Sequence, residues 1–334
     1  MNVCMIGSRG HHRYVFEGLR RMPDARLIGI STGTPEDSAD ALAELCREEQ
    51  HFPEIFDDYG AMLDQQQPDI VVVCGPFELH ARMCIDAFER GLHVFCEKPV
   101  ALTWNELDAL KHAYRNANAH FSAMMGLRYD PAFYTARQAV RNGAVGTVRL
   151  LDARKSYRLG QRPAYYGRRA TYGGTIPWVG SHAIDWIHWF SGESFETVHA
   201  VHASRHNRNN GDLEMSALCH FTLSNQVFAS ASIDYLRPAN APTHGDDRVR
   251  VAGTEGVIEV RGGQVFLINA STDGEAMLPA TCDRQIFQDF VETIQGRTTN
   301  VISVDDIWAV TEACLLARQS ADEGVTLSFG RKNV

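Results

Sequence analysis

The chain has no run of the roughly 18 consecutive apolar residues that a membrane-spanning helix requires. Its N-terminus also lacks the basic flank and apolar stretch of a signal peptide, so the expected location is the cytoplasm. Basic charge is in short supply: Lys plus Arg number 32 against 41 Asp plus Glu, a net charge of −9. Such a balance is a poor match for a polyanion, which argues against nucleic acid as a partner. Compositional bias is missing as well. With 44% hydrophobic and 22% charged residues, the chain sits near the globular average, which excludes disordered, collagenous and low-complexity classes. Close cysteine pairs are absent: the eight cysteines (4, 46, 74, 84, 96, 219, 282 and 314) are scattered, and Cys4, Cys74 and Cys96 lie inside apolar runs. Buried thiols in a reducing compartment fit that pattern, and a disulfide framework or a zinc site does not. One residue is plentiful, histidine, at fourteen. His199, His202 and His206 look ligand-spaced, but residues three apart on a strand face opposite sides and no acid or cysteine joins them, so no metal is expected.

The 334 residues suggest about two domains. Residues Asn2 to Ile6, Arg26 to Ser31, Ile70 to Cys74, His93 to Cys96 and Ala119 to Met125 are short apolar runs of the kind found in parallel strands buried on both faces. Amphipathic segments separate them. Thr34-Pro35-Glu36-Asp37 supplies an N-cap, a first-turn proline and early acids for one helix, and Thr103-Trp104-Asn105-Glu106 is a capping box for another. This alternation predicts an α/β domain over residues 1–122, a Rossmann doubly wound parallel sheet. From 123 to 334 the pattern changes to longer alternating strands with Ser-Asn, Gly-Thr-Glu-Gly and Gly-Gly turns. That predicts an α+β domain on a large open, mostly antiparallel sheet, with helices near Pro131 to Asn142, Ser181 to Phe190, Asp283 to Gln295 and Val304 to Asp322. An open apolar sheet face needs covering, which suggests a homo-oligomer.

The chemistry-bearing segments fall at the ends of the early strands. Gly7-Ser8-Arg9-Gly10-His11-His12 follows the first strand and precedes a helix, the setting in which backbone meets a pyrophosphate, although Arg9 and His12 stand where the Gly-x-Gly-x-x-Gly template has glycine. The second strand ends in Ser31-Thr32 rather than in the acid that selects an unphosphorylated ribose. Arg9 or Arg13 could reach a 2′-phosphate and Glu36 and Asp37 argue against one, so both NAD and NADP stay open. Further on, Gly75-Pro76 and His80 follow one strand, and Glu97-Lys98-Pro99 ends the next.

Together with Gly173-Gly174 leading into Gly180-Ser181-His182-Ala183-Ile184-Asp185, and with Arg128-Tyr129-Asp130-Pro131, these motifs make the chain resemble the Gfo/Idh/MocA family over nearly its whole length. The resemblance implies a nicotinamide cofactor on the first domain and a sugar or cyclitol held by the second. It implies cofactor contacts from Gly7, Ser8, Arg9, Gly10, His11, Ser31, Thr32, Gly75, Pro76, His80, Glu97 and Lys98. It further implies His182 as the base and Lys98 as the partner of the developing oxygen charge, roles that suit an imidazole titrating near neutrality and an ammonium donor. Substrate contacts are expected from Asp185 and Arg128, and from Trp178, which replaces the family's usual Asp four residues before the His.

The stretch 149–169 carries Arg149, Arg154, Lys155, Arg158, Arg162, Arg168 and Arg169 against one acid, Asp152, with tyrosines interleaved. Arginine forks and phenol rings point to an anionic sugar, with Tyr157 and Arg169 as contacts. The expected activity is NAD(P)-dependent oxidation or reduction of a sugar or sugar-acid hydroxyl. A redox-neutral glycoside-cleaving or eliminating enzyme with tightly held NAD, and a non-catalytic ligand-binding relative, are the alternatives.

Overall fold

The computed structural model describes residues 1–330 and resolves the chain into two compact units, Met1–Gly126 with Arg284–Val304, and Leu127–Asp283 with residues from Asp305 onward. The first unit holds strands β1 (Asn2–Ile6), β2 (Arg26–Ser31), β3 (Glu54–Ile55), β4 (Ile70–Val73), β5 (His93–Cys96) and β6 (Phe121–Ala123). They form one sheet in the order β3-β2-β1-β4-β5-β6, parallel throughout, the doubly wound arrangement expected from the apolar runs. Helices α1 (Arg13–Leu19), α2 (Ala39–Glu48), α3 (Tyr59–Gln66), α4 (His80–Phe88) and α5 (Trp104–Asn116) connect them. The predicted capping box opens α5: Thr103 accepts from the Glu106 N–H at 3.2 Å and Glu106 accepts from the Thr103 N–H at 3.0 Å.

Two sequence expectations need correction here. Helix α2 does not start behind Thr34. Its cap is Ser38, which accepts from the Ala41 N–H at 3.1 Å, while Asp37 is held outside the helix by Arg9. The division of the chain also differs from the continuous 1–122 and 123–334, because the segment 284–304 returns to the first unit. Its helix, Ile286–Ile294, lies on α1 where Gly18 has no side chain; a Cβ there would stand 2.8 Å from Phe287. Phe287 and Phe290 then pack on Phe95 of β5, with ring centroids 5.2 and 5.5 Å apart. Such partners are distant in sequence, so no local pattern announces them.

The second unit contains α6 (Pro131–Arg141), α7 (Arg169–Tyr172), α8 (Ser181–Ser191) and the closing helix Val304–Glu323. Its strands are β7 (Val148–Tyr157), β8 (Phe195–Ala203), β9 (Ser216–Leu223), β10 (Val227–Asp234), β11 (Gly245–Gly253), β12 (Gly256–Arg261), β13 (Gln264–Asn269), β14 (Ala276–Leu278) and β15 (Leu327–Ser328). They make a nine-stranded sheet in the order β14-β13-β12-β11-β7-β10-β9-β8-β15, antiparallel except for β7 beside β10. Helix α8 lies across the inner face over β7, β10 and β11, and α6 lies over β12 and β13. Strand alternation therefore sends Leu151, Ala153 and Lys155 of β7 inward, while Leu150, Asp152 and Arg154 are exposed. Among the described residues no helix is long and apolar enough to cross a membrane, and no group of three or more His, Cys, Asp or Glu could hold a metal.

Candidate functional site

In the first unit the residues singled out from sequence gather at the carboxyl ends of β1, β2, β4 and β5. Gly7 has φ +73°, its N–H donates to the Ser31 carbonyl at 2.7 Å, and a Cβ would meet the Cys74 carbonyl at 2.5 Å. Only glycine lets the β1 loop sit this close to the β4 loop. The Arg9 N–H donates to the Cys74 carbonyl at 2.7 Å. Glu97, wholly buried, anchors the same loop: it accepts from the His11 N–H and lies 2.8 Å from His11 Nδ1, and its other oxygen accepts from the Lys98 N–H at 2.8 Å. Gly10, at φ +79°, leaves room for this knot, since a Cβ would overlap the Glu97 carboxylate. Burial alone would push the Glu97 carboxyl up, but the neighbouring His11 and Lys98 outweigh it and hold the group below the ordinary range.

His80 is also wholly buried. Its Nδ1 lies 2.9 Å from the Pro99 carbonyl and its Nε2 3.1 Å from the Gly75 carbonyl. It clips the Gly75-Pro76 turn to the Lys98-Pro99 turn, so it acts as a positioning residue, and burial lowers its pKa. Lys98, at the end of β5, is 2% exposed. Thr32 Oγ1 donates to the Thr34 carbonyl at 2.7 Å and Ser8 is half-buried beside the loop. Arg9 is not available to a phosphate: its guanidinium forks onto Asp37, Nε to Oδ2 at 2.9 Å and Nη2 to Oδ1 at 2.8 Å. A dinucleotide fits this rim. Ser31 Oγ is buried without a partner at the end of β2, where such folds read the ribose. Sequence reasoning missed Gly33, which has φ +75° and whose Cβ would stand 2.6 Å from Met83; the available signal was a glycine directly after Ser31-Thr32.

In the second unit, Gly173 and Gly174 turn the chain at positive φ into a π-helical turn, Ile176–Gly180, that runs directly into α8. Such turns are frequent at functional sites. A Cβ on Gly180 would lie 2.5 Å from Ile233 Cδ1, so the glycine lets the start of α8 rest on β10. His182, two residues later, is 2% exposed. Trp178 is 7% exposed with its ring edge-on to Tyr166 at 6.2 Å, which makes it a packed wall residue.

Asp185 and Arg128 are brought to each other: Arg128 donates from Nη2 to Asp185 Oδ1 at 2.6 Å and from Nε at 3.0 Å, and its Nη1 donates to Asp306 at 3.0 Å. His188 Nε2 is 3.0 Å from the other Asp306 oxygen. These carboxylates raise the Arg128 pKa against the opposing effect of burial. Arg169 is similarly engaged, by Glu214 and by Asp322 at 2.9 Å.

The cationic stretch therefore divides. Arg149, Arg154 and Arg168 are exposed and Arg169 is paired, whereas Lys155, Arg158 and Arg162 collect at the Tyr157 end of the inner sheet face. Lys155 is 2% exposed, donates to Asp247 at 2.5 Å, and lies 4.8 Å from the Tyr157 ring and 5.6 Å from the Trp186 ring. Burial lowers its pKa, with Asp247 opposing. Since Gly180 rests on Ile233, Trp186 rests on Lys155, and Ile233 pairs in register with Lys155, His182 sits over this same part of the sheet.

With this geometry the chain can be set beside known proteins. The oxidoreductase family with an NAD-binding Rossmann fold matches residues 1–124, and the GFO/IDH/MocA C-terminal domain matches 133–259. A solved Thermotoga maritima structure, designated an oxidoreductase without a named substrate, is 45% identical, has a TM-score of 0.94, and aligns over 98% of this chain and 100% of its own. The uncharacterized oxidoreductase YrbE of Bacillus subtilis is 27% identical over 269 residues, 80% of this chain and 76% of its own length. The myo-inositol 2-dehydrogenase of Thermotoga maritima is 26% identical over 151 residues, 45% of this chain and 44% of that enzyme. The chain belongs to the Gfo/Idh/MocA family and is an NAD(P)-dependent oxidoreductase acting on CH–OH groups.

Proposed function

We propose that this enzyme oxidises a secondary hydroxyl of a sugar or sugar acid, or reduces the corresponding carbonyl, with Lys98 and His182 assisting. The observation that carries the reading is that each is a basic side chain 2% exposed in its own unit, Lys98 at a strand end that also presents the glycine loop and His182 on the helix over the inner sheet face. Similarity to myo-inositol 2-dehydrogenase supports a polyhydroxylated substrate.

When bound, a nicotinamide would supply the hydride acceptor for oxidation and the hydride donor for reduction. In the oxidative direction His182 Nε2 takes the hydroxyl proton while the Lys98 ammonium donates a hydrogen bond to the oxygen as its charge develops. Gly7, Ser8, Gly10, His11, Ser31, Thr32, Gly75 and Pro76 would hold the dinucleotide, with Arg9 tied to Asp37 and with Glu97 and His80 keeping the loops in place. Trp178 and Tyr157 contribute flat walls suited to a sugar ring.

The test has two parts. Denaturing the purified protein and identifying released nucleotide establishes which dinucleotide it carries. His182→Ala should then lower kcat by about 10²- to 10⁴-fold with NADH affinity kept, and an unchanged rate removes His182 from the reaction. Turnover without net NADH accumulation would instead support the redox-neutral cycle.

The exposed face of the large sheet supports a second copy of this chain as partner. Phe228 (51% exposed) lies beside Leu150, and Val201 (50%) beside Leu218, on neighbouring strands. Light scattering of Phe228→Glu against the unaltered protein checks it: a smaller species is expected.

A further inference from the structure

Lys155, Arg158 and Arg162 gather around Asp247, with Asp130 also acting on Lys155, so three cations face two carboxylates at this end of the inner sheet face. Arg162 is fixed by stacking, its guanidinium carbon 4.8 Å from the Tyr235 ring and 5.3 Å from the Tyr166 ring, and its Nη2 donates to the Arg158 carbonyl at 3.0 Å. Among the described residues its Nε is buried with no partner, and so is Arg158 Nε. One acceptor is in the same position: Asp247 Oδ1 is buried and unpartnered, while Oδ2 takes the Lys155 ammonium. His244 stands at the rim, its ring 4.8 Å from that of Tyr157, and burial together with the three cations lowers its pKa.

Two orphaned guanidinium N–H donors call for an anion, and one orphaned carboxylate oxygen calls for a hydroxyl proton. A hydroxy acid supplies both, whereas a dianionic phosphate would be pushed against Asp247. Leaving buried groups of this kind unmet is costly, so an occupant that satisfies them is strongly favoured.

We propose that Arg158 and Arg162, standing over Lys155 and Asp247, form a subsite for the carboxylate of a sugar acid, and that Arg162 is the residue that selects the acid over its neutral counterpart. The inference rests on the sugar reading above and narrows it to a substrate class. His182 lies over the same part of the sheet, so an acid held by Arg158 and Arg162 would lie on the face that His182 occupies.

The experiment is isothermal titration of the NADH-loaded full chain with D-glucuronate, D-galacturonate, D-glucose, D-galactose and D-glucose 6-phosphate, each also assayed for hydride transfer to NAD+ in a separate reaction. A uronate should bind about 10- to 100-fold more tightly than its parent sugar, the range expected of charge-assisted hydrogen bonds. Arg162→Gln should erase that preference with the thermal midpoint kept, Arg158→Gln should weaken it, and Arg162→Lys should retain part of it. Equal binding of acid and parent, tighter binding of the phosphate, survival of the preference in Arg162→Gln, or binding of none of these compounds would each overturn the subsite. Oxidation of neutral sugars without a uronate preference overturns the subsite alone. An Arg162-dependent uronate preference without hydride transfer overturns the oxidoreductase reading and leaves the subsite standing.

Discussion

Arg128 and Arg162 belong to the same unit and carry the same charge, yet their surroundings are opposite. Arg128 is closed into a buried knot with Asp185, Asp306 and, through Asp306, His188. Among the described residues Arg162 is held by tyrosine faces and a carbonyl, with its Nε donor left over. A polar network whose members satisfy one another is scaffold, and one with unmatched donors and acceptors is set up for something that comes from solution. The first unit follows the same division. Glu97 with His11 and the Lys98 N–H is closed, and the Ser31 hydroxyl is open.

The sharpest way to break this comparison is to remove each arginine's charge. Arg128→Met strands two carboxylates, one of them fully buried, and should cost about 3–5 kcal/mol of unfolding free energy, whereas Arg162→Met should cost less than about 1 kcal/mol. Urea denaturation of the two variants measures it, and equal losses would end the distinction. Next in size is Gly10→Ala, which forces a Cβ onto the Glu97 carboxylate at a φ of +79°. NADH affinity, read by fluorescence titration, should fall about 10- to 100-fold from the strain introduced at the loop.

A smaller effect is expected where a closed pair is opened deliberately. Asp37→Asn releases the Arg9 fork from its carboxylate, and a released guanidinium at this rim can meet a 2′-phosphate. The ratio of kcat/KM with NADP to that with NAD should rise by about 10-fold; an unchanged ratio places Arg9 away from the ribose.

The smallest prediction concerns pH. Burial holds the folded His80 pKa below its ordinary 6.5, so as pH falls the unfolded chain binds the proton first. The stabilisation is whole above about 6.5 and is lost as pH drops below that value, by up to about 1.4 kcal/mol per unit for one such group. Comparing denaturation at pH 7.5 and 5.5, His80→Asn should flatten the loss, and His244→Asn, at an open rim, should flatten it less.

Much of this was legible in the sequence because it is local. The apolar runs give β1, β2 and β5 at the bounds the structure shows, and the Thr103 capping box starts α5. Strands β3, β14 and β15 were not legible, since two or three residues carry no periodicity and exist only through pairing. The parallel pairing of β7 with β10 and the return of 284–304 to the first unit depend on partners far along the chain. At the site, residue types were readable and pairings were not: nothing local says that Arg9 is taken by Asp37, Arg128 by Asp185 and Arg169 by Glu214. The alternation along residues 148–157 did hold one unused signal. It places Lys155 inward and Arg154 outward, which already separates part of the cationic stretch into two faces.

The burial of Lys155 has a further consequence. The chain has only four lysines (98, 111, 155 and 332), so nearly all its positive charge is guanidinium. Lys332 lies outside the described residues, Lys98 and Lys155 are each 2% exposed, and Lys111 is half-buried. Among the described residues, an amine-reactive reagent therefore meets little beyond the α-amino group of Met1 and the half-buried Lys111. Acylation of Lys155, followed by mass spectrometry, becomes a clock for how often the second unit opens, one that an occupant seated over the amine would slow.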